Sequence, residues 1–164
     1  MPTHPILGEY FVDESGDIEF DPIEIEDEEI ERIIYASSPV PQANFDALCQ
    51  LFVQAETLAK TAKDHIVTNW NNEFLEMVED WVDSNPDMEI LEELFPGAGV
   101  TSVDDITQDL VAKSIHVTNM MGGYDEGQGH TFTIDVKCKD GDFDQFLAVR
   151  FDDAGTVIGV DEES

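Results

Sequence analysis

The side chains best equipped for chemistry are four histidines, His4, His65, His116 and His130, in a chain that carries 38 aspartates and glutamates. Imidazole with carboxylate can ligate a transition metal or move protons. A zinc centre requires three or four ligands converging at about 2 Å. If Val117 faces Phe132 across a hairpin, strand alternation points His116 and His130 to opposite faces, where they cannot share an ion. His65 falls in a helical pattern with only Asp64 and Asn69 as nearby ligand types. No metal ligand or cofactor is therefore assigned. A metal-dependent hydrolase built on His116 or His130 remains the rival from the enzyme class.

Other chemical signatures are weaker. The run DGDFD supplies Asp140, Asp142 and Asp144 at the alternation of half a calcium loop, but Gly141 comes too early and Phe146 begins a strand. A solvated hairpin turn is the plainer reading. No local signature of a serine or cysteine nucleophile occurs, and carboxylate pairs are expected by chance in so acidic a chain. The glycine-rich stretch MGGYDEGQG (Gly122, Gly123, Gly127 and Gly129) lacks the following helix and the lysine of a phosphate cradle. It reads as a mobile hairpin loop that could present Met120, Met121 and Tyr124 to a partner.

The acids form the dominant pattern. Thirty-eight acidic against seven basic residues give a formal charge of −31. Such a surface repels phosphate backbones and anionic membranes, so direct nucleic-acid or membrane binding is not expected. A basic protein partner is. Acids also crowd Glu9 to Glu31, and no basic residue lies between Lys63 and Lys113. Within that interval Glu73, Glu76, Asp80 and Asp83 recur at three- and four-residue steps, with Glu79 beside them. One helix face would carry them opposite Phe74, Val78 and Trp81. These acids, with Tyr124, are the candidate partner-binding residues. An ordinary solvated coat, solubility alone, and mimicry of DNA phosphates are the competing readings.

The elements that position these groups follow from periodicity. GEYFV, DIEF, IEIE and IERIIYA read as strands, with Gly16 in the DESG turn. The prolines of SSPVPQ end that region. One long helix is expected from an Asn44 N-cap, its core face running from Phe45 through Leu48, Phe52 and Ala59 to Trp70. A second contains Phe74 to Val82, a third DMEILEELF, and a fourth SVDDITQDLV with a Ser102–Asp105 capping box. AKSIHVTN, HTFTIDVKC, FDQFLAVRF and TVIGV return to strands. A tight KDGD hairpin opposing Lys139 to Asp142 would face Phe132 with Val149, Ile134 with Leu147 and Cys138 with Phe143. The expected fold is a single α+β domain over residues 1–164: an antiparallel sheet of N-terminal strands plus a C-terminal four-strand meander, packed with three or four central helices.

The segments HPILGEYFVD, AETLAKTAKDHI with the acidic helix after it, and FDQFLAVRFDDAGTVIGVDEES together resemble a bacterial family catalogued only as domain of unknown function two thousand and four. The resemblance spans about half the chain. It implies a compact α+β fold and supplies no activity, cofactor or site residue. Small acidic proteins of this kind include toxin-neutralising immunity proteins, an analogy of form. Two cysteines, Cys49 and Cys138, at apolar-face positions read as buried thiols in a reducing compartment. With no basic start or apolar run at the N-terminus, a cytoplasmic location is expected.

Overall fold

A computed structural model of the chain describes residues 2–141 and 143–163. The first four strands are β1 (Thr3–His4), β2 (Gly8–Val12), β3 (Ile18–Ile25) and β4 (Glu28–Ala36), the last two built on alternating apolar and acidic residues. Five helices follow: α1 (Gln42–Phe52), α2 (Ala55–Thr68), α3 (Glu73–Ser84), α4 (Ile90–Leu94) and α5 (Gln108–Ser114). The chain closes with β5 (Ile115–Asp125), β6 (Gly129–Cys138), β7 (Phe146–Phe151) and β8 (Val157–Glu163). The fold class is α+β.

The eight strands form one sheet in chain order. The C-terminal four make the expected antiparallel meander. The sheet is not antiparallel throughout, because β4 and β5 run parallel, Ile34 beside Gly122. Parallel neighbours need a long crossover, and the helical third of the chain supplies it. The helices cover one face, where Phe52 meets Phe132 edge-on at 5.1 Å and Phe20 at 5.2 Å. Phe132, Ile134, Val136, Leu147 and Val149 are all buried there, in one apolar cluster with Leu48, Phe74 and Trp81.

Several sequence expectations change. DIEF and IEIE are one strand, β3, with its register slipping between Phe20 and Ile23. Pro22 has no N–H for the ladder, so the strand bulges there. The buried Arg32 guanidinium then donates to the Asp21 carbonyl through Nε (3.0 Å) and Nη2 (2.6 Å). The long helix is two helices. At the break the Gln54 backbone N–H turns to Leu51 O, and its side-chain amide takes the Gln50 carbonyl at 2.8 Å. The core face survives: Leu48, Phe52, Ala59 and Ile66 are buried. Asn44 is no N-cap; Pro41 holds that position. The capping box at Ser102 and Asp105 is present but starts a 3-10 turn (Val103–Asp105), while Thr107 caps α5.

The hairpin registers also move. Phe132 pairs with Phe151 and Ile134 with Val149, two residues beyond the tight-turn register. A shift of two preserves the faces, so the core set stands. Phe143 does not pair with Cys138, because the β6–β7 ladder ends at Val136 and Leu147. Instead Phe143 stacks on Trp81 at 4.8 Å, which draws the β6–β7 connection toward α3. Asp142, in both the KDGD turn and the half calcium loop, lies outside the described residues. On the other side of β6, Val117 pairs with Val136, and Phe132 with Gly122.

Candidate functional site

Amphipathicity fixes α3: Phe74, Met77, Val78 and Trp81 are buried, which turns Glu76, Glu79, Asp80 and Asp83 to solvent and leaves Glu73 half-buried in the first turn. The row from Glu73 to Asp83 spans about 15 Å at 1.5 Å per residue. An open depression of about 520 Å³ at its N-terminal end is lined by Asn71, Asn72, Glu73, Leu75, Glu76 and Glu79. Because α3 packs beside edge strand β8, Glu162 joins the row. Burial pushes the Glu162 carboxyl above its usual range, and the charges of Asp80 and then Glu76 push it further. Sequence spacing could not have found this acid, which lies 82 positions beyond Asp80. None of the ion pairs among the described residues engages an α3 acid.

Tyr124 is not in a loop, a correction to the glycine-rich reading. It lies in β5, paired with Ala36 and His130, and Gly122 and Gly123 precede it in the same strand. Met120 is fully buried in the core. The turn itself is only Glu126 to Gln128, closed by the Asp125 carboxylate, which accepts the N–H groups of Gly127 and Gln128 at 3.1 Å. Tyr124 sits three strands from β8 and at the opposite end of the strand direction from Glu162. The five candidate residues therefore do not form one surface; the four helical acids do.

The histidines are dispersed. His4 Nδ1 accepts the N–H groups of Ile6 and Leu7 and closes a turn. His130 engages both ring nitrogens: Nδ1 lies 2.8 Å from Asn44 Nδ2 on α1, and Nε2 lies 2.6 Å from Asp153 Oδ1 in the β7–β8 turn. The neutral tautomer with N–H at Nε2 satisfies all three groups, accepting from Asn44 and donating to Asp153. The ring thus bridges α1 to that turn, with no nitrogen left for a metal or a nucleophile. His116 Nδ1 lies 3.0 Å from Glu28 Oε2 but out of hydrogen-bond alignment. His130 faces Tyr124, eight positions along β5 from His116, or roughly 26 Å at about 3.3 Å per residue. Distance along the sheet adds to a separation by face: His116 pairs with Lys137, which alternates to the side of β6 opposite His130. Among the described residues no group of three or more His, Cys, Asp or Glu side chains is placed to hold a metal ion.

Both cysteines are free. Burial pushes the Cys49 thiol up to about 11, with Asp46 adding to it, and the Cys138 thiol up to about 12, with Asp140 adding to it. Neither is an activated nucleophile. No described helix is long and apolar enough to cross a membrane. Compared with known proteins, the chain matches no family model, no curated protein and no solved structure.

Proposed function

We propose that the chain is a non-catalytic, cytoplasmic binding protein whose α3–β8 face docks a basic protein, in the manner of an immunity or regulatory protein. One observation supports the reading. Glu76 and Asp80 of α3 crowd against Glu162 of β8, and no ion pair among the described residues engages any of the three. Repulsion among them is relieved when a partner supplies Lys or Arg, and such a face also steers encounter. The family resemblance contributes no activity to this reading.

The test compares two equally neutralised triple variants by capture from host extract at low salt: Glu76→Gln/Asp80→Asn/Glu162→Gln, and a control at Glu14, Asp87 and Glu126. A specific face loses its partner in the first variant and keeps it in the second. Equal loss in both, or no partner on the unaltered chain, overturns the proposal in favour of a general solvating coat. Release of the captured protein by added duplex DNA would move the reading to DNA mimicry.

A further inference from the structure

A second site, independent of the acidic face, lies where the β3–β4 turn leans on α2. It is a cavity of about 670 Å³ between that turn, α2 and the start of β5. Its apolar floor includes Ile25, Ile30, Ala59, Val67 and Val117. Two lysines of a chain with only seven basic residues, Lys60 and Lys63, converge on it with His116.

Lys60 is exposed and paired with Asp64 at 2.6 Å, but the two more buried donors, Lys63 and His116, are poorly used. The Lys63 side chain is 22% exposed, and its nearest carboxylate, Glu26 Oε2, is 3.7 Å away, beyond hydrogen-bond reach. His116 Nδ1 is buried without an aligned acceptor. Glu26 and Glu28, the carboxylates beside these two donors, flank a turn in which Glu26 and Asp27 both take left-handed φ values, 53° and 65°. Their side chains are 72% and 44% exposed, so both can swing into solvent. Meanwhile Glu24 and Glu56 line the same cavity, and neither carboxylate has an ion pair or hydrogen bond among the described residues.

This charge arrangement selects its ligand. Carboxylates outnumber cations around the cavity, so a simple anion is repelled. A simple cation leaves Lys63 and His116 unsatisfied, which is costly for partly buried donors. We propose that the cavity binds a small zwitterion with an aliphatic body, the chemistry of a free branched-chain amino acid or a short apolar peptide. The ligand carboxylate replaces those of Glu26 and Glu28 at Lys63 and His116. The ammonium faces Glu24 and Glu56, and the side chain lies on the Ile30–Val117 floor.

The experiment titrates the full chain with L-leucine and with leucyl-leucine at low ionic strength, following backbone amide resonances of the β3–β4 turn and α2. Isoamylamine, 4-methylpentanoate and glycine serve as truncated ligands. Saturable shifts with leucine or its dipeptide up to about 10 mM are expected, and which of them binds tighter identifies the source. Each truncated ligand should bind at least about tenfold more weakly, as should leucine or the dipeptide to Lys63→Met or His116→Gln. Absence of saturable shifts with both zwitterions overturns the proposal. So does isoamylamine binding equally well, or undiminished binding to Lys63→Met with its resonances otherwise intact.

Discussion

At the scale of single residues, Asp135 has the least favourable environment among the described carboxylates. It stands on the sheet face away from the helices yet is only 2% exposed. Its Oδ1 has no partner, and its Oδ2 accepts only a long bond from Asn119 Nδ2, at 3.5 Å. Burial pushes its pKa up to about 6; Asn119 and Lys137 oppose the shift and Glu163 adds to it. Between about pH 4 and about pH 6 the folded chain therefore holds a proton that the unfolded chain releases, so stability falls as pH rises through that window. Asp135→Asn should raise stability at pH 7.5 by on the order of 2 kcal/mol and give no gain at pH 4. Urea unfolding at both pH values checks this; an equal gain at each would assign the effect to packing instead of charge. Nothing in the sequence distinguishes Asp135 from the other acids, because its cost arises from burial and from neighbours brought in by β5 and β8.

At the scale of elements, Gly122 shows what a one-dimensional reading misses. Two adjacent glycines signal a turn, yet a strand glycine can equally admit a close neighbour. A Cβ at Gly122 would lie 3.2 Å from both Leu48 methyls and from Ile34 Cγ1, so the absent side chain is what lets α1 seat against β5. Gly122→Val should lower stability by about 1–3 kcal/mol through overpacking. In a double-mutant cycle with Leu48→Ala, part of that loss should return, measured by thermal or urea unfolding. Strict additivity would mean that the two positions do not compete for space. The α1–α2 break teaches the same lesson: apolar periodicity runs unbroken through Val53, and the interruption shows only in hydrogen bonding, with the Gln54 backbone N–H on Leu51 O and its side-chain amide on the Gln50 carbonyl.

At the scale of the whole molecule, the net charge of −31 sets the response to solution conditions. The i,i+4 pairs Lys60–Asp64 and Lys113–Asp109 are exposed and offset little of the repulsion. Raising NaCl from about 10 mM to about 0.5 M should therefore raise Tm by several degrees, because screening weakens repulsion among exposed acids. A Tm insensitive to salt would show that the acids already lie too far apart to interact. The same screening should weaken capture through the α3–β8 face, while the apolar floor of the Lys63 cavity would retain its contribution at high salt.

The sequence by itself determined the α+β class, the core faces of α1 to α3 and of β6 and β7, the acidic row of α3 and the free state of both cysteines. These depend on local periodicity and composition, which near neighbours set. Tertiary structure alone decided the parallel β4–β5 junction, the β6–β7 register, the joining of Glu162 to Asp80 and the placing of Lys63 and His116 around one cavity. Those depend on which distant segments come to share space, and burial, charge and hydrogen bonding at such places belong to the assembled neighbours rather than to any one stretch of chain.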